Sequence, residues 1–191
     1  MIFLETALKG AYTIDPEPHT DDRGFFARTF CQREFEAHGL RPTIAQASIA
    51  SNRLTGTLRG MHYQYPPAAE TKVVRCTRGA ILDVIIDLRP ESPTFLRHVA
   101  AELTDANRRA LYVPERFAHG YQSLCDDTEV MYEISEFYAP GLAFGLRYDD
   151  PALELTWPLP VTLISTRDRD WPLLQDVEPN LKAQMRMPLF T

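Results

Sequence analysis

Of the five histidines in this chain, His19, His38, His62, His98 and His119, two keep different company from the rest. His62 sits in Leu58-Arg59-Gly60-Met61-His62-Tyr63-Gln64, and His119 in Pro114-Glu115-Arg116-Phe117-Ala118-His119-Gly120. Both are apolar stretches with a glycine close by. His38 stands beside Gly39 at an expected helix end, where a capping role suffices, and His19 and His98 lie in polar surroundings. An imidazole titrates near neutrality, so a strand histidine facing a cavity can take a proton from carbon and give it up again. A carboxylate on the far ring nitrogen would fix the tautomer and raise the basicity. Tyr132 and Tyr138 share parity on one expected strand, so both can face the same cavity. A tyrosine there can deliver a proton from the side opposite the base. Lys72 and Arg59 can stabilise the oxygen anion that develops when a proton leaves the carbon beside a carbonyl. Arg59, flanked by Leu58 and Gly60, is expected to be more buried than most arginines of the chain. The plainer roles are a hydrogen-bonded core position for each histidine and a surface salt bridge for each cation.

Paired strand histidines also raise the question of a metal. Metal-binding cupins carry two histidines one residue apart, then a glutamate, then a later histidine. Gly56 and His62 fit the opening of that pattern, Glu70 follows at slightly long spacing, and His119 fits the last ligand. The second histidine position holds Gln64, a poor ligand for a transition metal. The expectation is therefore no metal and no cofactor, with proton transfer as the chemistry. Arg59 and His62 pose one geometric difficulty: three residues apart, they would point to opposite faces of a regular strand. Gly60 between them is expected to support a bulge that re-aims one side chain.

The elements that must position these groups are mostly short strands. The clearest runs from Ala80 to Leu88, with Leu82, Val84, Ile86 and Leu88 on an apolar face and Asp83, Ile85 and Asp87 on a face able to carry charge. Further strands are expected at Tyr12–Asp15, Phe25–Phe30, Ile44–Ala50, Thr57–Tyr63, Lys72–Thr77, Arg97–Leu103, Leu111–Val113, Tyr121–Leu124 and Glu129–Tyr138. Helices are expected at Gln32–His38, ended by Gly39, as one turn at Asp105–Arg109 capped by Thr104, and within Leu173–Pro188. Many short strands with few helices indicate an all-β barrel or sandwich. The length of 191 residues suits one domain, 1–191, with 173–191 as a C-terminal tail. A net charge of −6 argues against nucleic acid or an anionic membrane surface as the main partner. No apolar run approaches the roughly 20 residues that cross a bilayer, and the N-terminus has no secretory-signal pattern. Three widely spaced cysteines, Cys31, Cys76 and Cys125, read as free thiols of a cytoplasmic protein.

Several stretches taken together resemble the dTDP-4-dehydrorhamnose 3,5-epimerase family. They are Asp22-Arg23-Gly24-Phe25-Phe26, Gly56 through Gln64, and Lys72 through Arg89 with its CTRGAILDVIIDLR run. Ser92-Pro93-Thr94, VPERFAHGYQSL at Val113–Leu124 and EVMYEISEFYAP at Glu129–Pro140 follow. Asp149-Asp150-Pro151, Trp157-Pro158 and Ser165-Thr166-Arg167-Asp168 complete the series. In family order they cover roughly residues 1 to 172. The resemblance implies a cupin-type jelly-roll barrel and a homodimer that exchanges an N-terminal strand. The substrate would be a nucleoside-diphosphate 4-keto-6-deoxyhexose inverted at C3, C5 or both. It implies that His62 is the base, held by Asp168, that Tyr132 is the acid, and that Lys72 sits by the keto oxygen. Asp170 would be an equal choice from spacing alone. Arg59 and His119 would contact the sugar–diphosphate, Arg23 and Gln46 the nucleotide, and Tyr138 would stack on the base. Phe26 and Arg167 complete the binding set with two positions that depart from the family pattern, Arg28 in place of glutamate and Ser48 in place of asparagine. A third departure is Ala143 in place of glutamate. These leave a CDP- or GDP-linked sugar, or a single-centre epimerase, as alternatives to the dTDP-linked one. A metal-dependent cupin oxygenase or isomerase and a non-catalytic sugar-nucleotide binding module are the rivals from other classes.

Overall fold

The alternating apolar residues are gathered into two facing antiparallel sheets in the computed structural model, which describes residues 1–186. In chain order the strands are β1 (Ile2–Glu5), β2 (Tyr12–Asp15), β3 (His19–Asp21), β4 (Gly24–Phe26), β5 (Gln46–Asn52), β6 (Thr57–Gln64) and β7 (Lys72–Arg78). They continue with β8 (Ala80–Asp87), β9 (His98–Thr104), β10 (Ala110–Val113), β11 (Phe117–Ser123), β12 (Thr128–Ile134), β13 (Ala143–Gly145) and β14 (Leu163–Ile164). The helices are α1 (Gln32–Ala37), α2 (Thr166–Arg169) and α3 (Leu174–Met185). One sheet runs β1-β2-β10-β7-β12-β5 and the other β13-β6-β11-β8-β9, with β14 parallel to β6. The β3–β4 pair forms a separate ribbon. This is the all-β barrel that the sequence predicts.

Strand parity explains both the core and the cavity. Val74 and Cys76 of β7, Val130 of β12, Ile81 and Ile85 of β8, and Phe117 and Tyr121 of β11 meet between the sheets. Lys72, Tyr132, Asp83 and His119 lie on the same parity of these four strands, so the polar groups share the interior with the core. The outer face of the second sheet is covered by α3, whose Leu174, Leu181 and Met185 pack with Met61, Val84 and Ile86. Outside the first sheet, α1 contributes Phe35 against Ile14, Val73 and Tyr112.

Four expectations are corrected. Both faces of β8 are buried, and Asp83 and Asp87 are fully enclosed. A buried carboxylate needs partners, and Asp87 has them in Arg89, Ser92 and Thr94 at 2.6–2.8 Å. The strand expected over Glu129–Tyr138 stops at Ile134, because Ile134 pairs with the first residue of β5 and the first of β7, and both ladders end there. The strand expected over Phe25–Phe30 stops at Phe26. Its partner β3 starts just after Pro18, which has no N–H to extend the ladder. Asp105–Arg109 is a turn rather than a helix. Thr104 Oγ1 does accept from the Asn107 amide as a cap would, but Asn107 Oδ1 accepts from the amides of Thr104 and Arg109, and Arg108 takes φ 53°. The terminal helix expected within Leu173–Pro188 is found as α3, and its last expected residues lie outside the described ones.

Candidate active site

The bulge expected at Gly60 is present. His119 pairs with His62 and Tyr121 with Arg59, so three steps along β6 match two along β11. Gly60 adopts φ 140°, and a Cβ there would fall 2.5 Å from Gly120 Cα, so only glycine allows the two strands this approach. The irregularity turns Arg59 and His62 to the same side. Both line a cavity of about 320 Å³ that opens between the sheets.

Strand β6 supplies Arg59, His62 and Gln64 to this cavity, and β7 supplies Lys72. His119 and Tyr121 come from β11, Tyr132 from β12, and Gln46 and Ser48 from β5. Tyr138 and Arg167 reach its rim from segments outside the sheets. Asp168 Oδ1 accepts from His62 Nε2 at 2.7 Å, behind the ring. The one-turn helix α2 selects this carboxylate: Ser165 caps the turn by accepting from the Asp168 amide, which buries Asp168 and leaves Asp170 exposed beside Arg169. Burial alone would raise the Asp168 carboxyl. The His62 hydrogen bond and charge, with the Gly60 amide and Ser165, outweigh it and hold the carboxyl below its ordinary range. An ionised carboxylate on one imidazole nitrogen leaves the other nitrogen able to accept a proton.

A second imidazole–carboxylate pair lies beside the first. His119 is a cross-strand neighbour of His62, and Asp83 Oδ1 accepts from its Nε2 at 2.6 Å. The Tyr132 ring stands 6.0 Å from that of His119, nearly perpendicular. Burial, then the neighbouring Tyr121 and Asp83, push the Tyr132 phenol well above its ordinary value, so it keeps its proton throughout the neutral range. Arg59 corrects its expectation: it is exposed, because the cavity is open, with Nε donating to Asn52 Oδ1 at 2.9 Å and a terminal nitrogen to the Ser51 carbonyl at 3.2 Å. Tyr138 reaches the cavity from a loop and not from a strand, held where its amide donates to Gln46 Oε1 at 2.8 Å.

Three predicted residues are not brought to the cavity. Arg23 pairs with Asp21, Phe26 is 75% exposed, and Arg28 pairs with Glu34 at 2.9 Å. The β3–β4 ribbon that bears Arg23 and Phe26 joins neither sheet. Four residues near the site were missed from sequence: Asp83, Tyr121, Asn52 and Trp171. Asp83 had a signal, a lone charge between Ile81 and Ile85 in an apolar strand. Trp171 had none; its ring lies 6.5 Å from that of His62 and 4.9 Å from the Arg167 guanidinium carbon. Among the described residues no group of three or more His, Cys, Asp and Glu side chains converges as a metal-ligand set. No helix among them is long and apolar enough to cross a membrane.

Comparison with known proteins converges on one family. Residues 5–176 match the family model described as dTDP-4-dehydrorhamnose 3,5-epimerase. The chain belongs to the dTDP-4-dehydrorhamnose 3,5-epimerase family. The enzyme of that name from Methanothermobacter thermautotrophicus is 40% identical over 177 residues, covering 91% of this chain and 95% of its own. The crystal structure of the Bacillus anthracis enzyme, with TDP and PPi bound, superposes with a TM-score of 0.88 at 37% identity, covering 91% of this chain and 99% of its own. A dTDP-4-dehydrorhamnose 3-epimerase from Streptomyces niveus is 36% identical over 170 residues, covering 88% of this chain and 82% of its own. The protein is thus an epimerase, an isomerase built on a cupin-type jelly roll. Within this epimerase the departures from the family pattern fall on different surfaces. Ser48 and Ala143 line the cavity, whereas Arg28 faces Glu34 away from it.

Proposed function

We propose that this epimerase inverts C3 and C5 of a dTDP-linked 4-keto-6-deoxyhexose, converting dTDP-4-dehydro-6-deoxy-D-glucose to dTDP-4-dehydro-L-rhamnose. One observation carries the proposal: His62, held by buried Asp168, and the protonated phenol of Tyr132 line the same cavity as a lysine ammonium. The C4 ketone acidifies the hydrogens on its two neighbouring carbons. His62 removes one, Lys72 faces the oxygen on which charge develops, and Tyr132 returns a proton to the opposite face of the ring. Positioned acid–base groups of this kind contribute about 10²–10⁴-fold each. Nothing is oxidised overall, so the reaction calls for no redox cofactor. Arg59 and His119 are assigned to the sugar–diphosphate, Gln46, Ser48, Tyr138 and Arg167 to the nucleotide end. The TDP bound to the Bacillus anthracis relative supports thymidine as the base.

Arg23, Phe26 and Arg28 are assigned to the site of a second copy, in a homodimer that exchanges N-terminal segments. The ribbon is separate from both sheets and exposes Phe25 and Phe26, and β1 exposes Ile2 and Leu4 at a sheet edge, a surface that edge-to-edge pairing would cover. A reducing cytoplasm agrees with three free cysteines. Inversion of C3 alone is favoured by one observation, the 36% identity to a 3-epimerase.

Solvent deuterium entering C3 and C5 tests the function. His62→Asn is expected to slow wash-in by about 10²-fold or more, and near-normal exchange would remove His62 from the role of base. Tyr132→Phe is expected to suppress inversion more than exchange, and equal loss of both would contradict protonation from the opposite face. Label at C3 without label at C5 in the wild type would establish the single-centre reaction.

A further inference from the structure

Gln64 stands where the metal-binding cupin pattern has its second histidine, Glu70 follows at slightly long spacing for its glutamate, and both side chains are engaged with neighbours of the cavity wall. Glu70 Oε1 lies 2.9 Å from Lys72 Nζ, and its Oε2 accepts from Gln64 Nε2 at 2.7 Å. The second hydrogen of the same Gln64 nitrogen donates to the Ala68 carbonyl at 2.9 Å, with the Phe137 carbonyl sharing the amide at 3.2 Å, and Gln64 Oε1 accepts from the Ala139 amide at 2.7 Å. Gln64 is 4% exposed, and the side chains of Glu70 and Lys72 are 12% and 10% exposed. Among the described residues Glu70 is the one carboxylate in ion-pair contact with Lys72. A lysine ammonium is a point charge on a flexible four-carbon stem, so its location depends on what it is bonded to. An enclosed ion pair with its remaining oxygen hydrogen-bonded defines that location far better than a surface pair does.

We infer that Glu70 is a positioning residue of this epimerase. Braced by Gln64, it fixes the Lys72 ammonium on the cavity wall and ties it to the loop that carries Tyr138. The amide at position 64 is thus a hub: it reaches the carboxylate that holds Lys72, the Ala68 carbonyl, and the backbone on either side of Tyr138. The inference rests on the proton-transfer function proposed above, because Glu70 acts through Lys72.

The test is a double-mutant cycle on the full chain with Lys72→Met, Glu70→Gln and the pair, reading kcat for deuterium wash-in and, separately, dTDP affinity by calorimetry. Glu70→Gln is expected to lower kcat by about 10- to 100-fold while dTDP affinity stays within about twofold. In the Lys72→Met background the same change is expected to cost almost nothing more, since the group it positions is gone. Should Glu70→Gln fail to fold, Glu70→Asp, which keeps the charge on a shorter arm, takes its place in the same cycle. Gln64→Met is expected to lower both kcat and dTDP affinity, because it releases the Tyr138 loop as well. Additive losses in the cycle, or equal losses of kcat and dTDP affinity on changing Glu70, would overturn the inference. A wild-type protein that exchanges neither C3 nor C5 hydrogen would overturn the proposed reaction itself, and the role of Glu70 with it.

Discussion

The chemistry of single residues follows from which oxygen meets which nitrogen. His62 and Lys72 could be picked out by side-chain type and sequence company, and Tyr132 by parity. Asp168 could not, because Asp170 matches it in type and neighbourhood, and the choice is made by a single helical turn capped by Ser165. Asp168→Asn is expected to lower the rate by about 10²-fold or more, because an amide holds the wrong tautomer of His62 and gives no charge to an imidazolium. It also predicts an acid signature. A carboxyl held below its ordinary value of 3.8 stabilises the fold fully at pH values well above 3.8 and loses that contribution as pH falls through the lower folded-state value. The thermal midpoints of wild type and Asp168→Asn are therefore expected to lie apart at pH 6 and to converge as pH falls through the lowered folded-state value of Asp168. A difference that persists in acid would mean that Asp168 stabilises the fold by some means other than its charge.

At the scale of the element, ladder length decided what the sequence could reveal. Alternation identified most strands, and the clash of parity between Arg59 and His62 identified the bulge at Gly60. The end of β12 was hidden, because it is set by where the partner strands β5 and β7 begin and not by the residues of β12. For the same reason Tyr138 was given the right cavity on the wrong element. Both faces of β8 are buried, so the face that was expected to carry charge carries it as paired interior groups, Asp83 with His119 and Asp87 with Arg89. Gly60→Ala is expected to cost about 2–4 kcal/mol by thermal or urea unfolding, from positive-φ strain together with the contact against Gly120. Activity is expected to fall further than stability explains, since the bulge sets the angle between Arg59 and His62. A folded Gly60→Ala protein with full turnover would show that the strand tolerates another path.

For the molecule as a whole, the barrel is a site wrapped in two apolar coats, one provided by α1 and the other by α3. Leu181, fully buried in the second coat, lies far along the chain from the sheets it covers, and Leu181→Ala is expected to cost about 2–5 kcal/mol in unfolding experiments. The proposed exchange between copies predicts complementation. Arg23→Ala and His62→Asn chains, each impaired alone, are expected to regain up to about a quarter of wild-type activity when refolded together, because one site in the mixed dimer receives intact residues from both. Failure of mixtures to regain activity would place Arg23 outside its neighbour's cavity. The neighbourhood of Trp171 offers a way to watch any of this in real time. Of the two tryptophans in the chain, Trp157 is anchored to the Tyr148 carbonyl in the outer coat, while Trp171 touches the environment of both His62 and Arg167. Occupancy of the barrel mouth should therefore alter the indole emission of one residue alone, and Trp171→Phe should silence that optical response while leaving the emission of Trp157 in place.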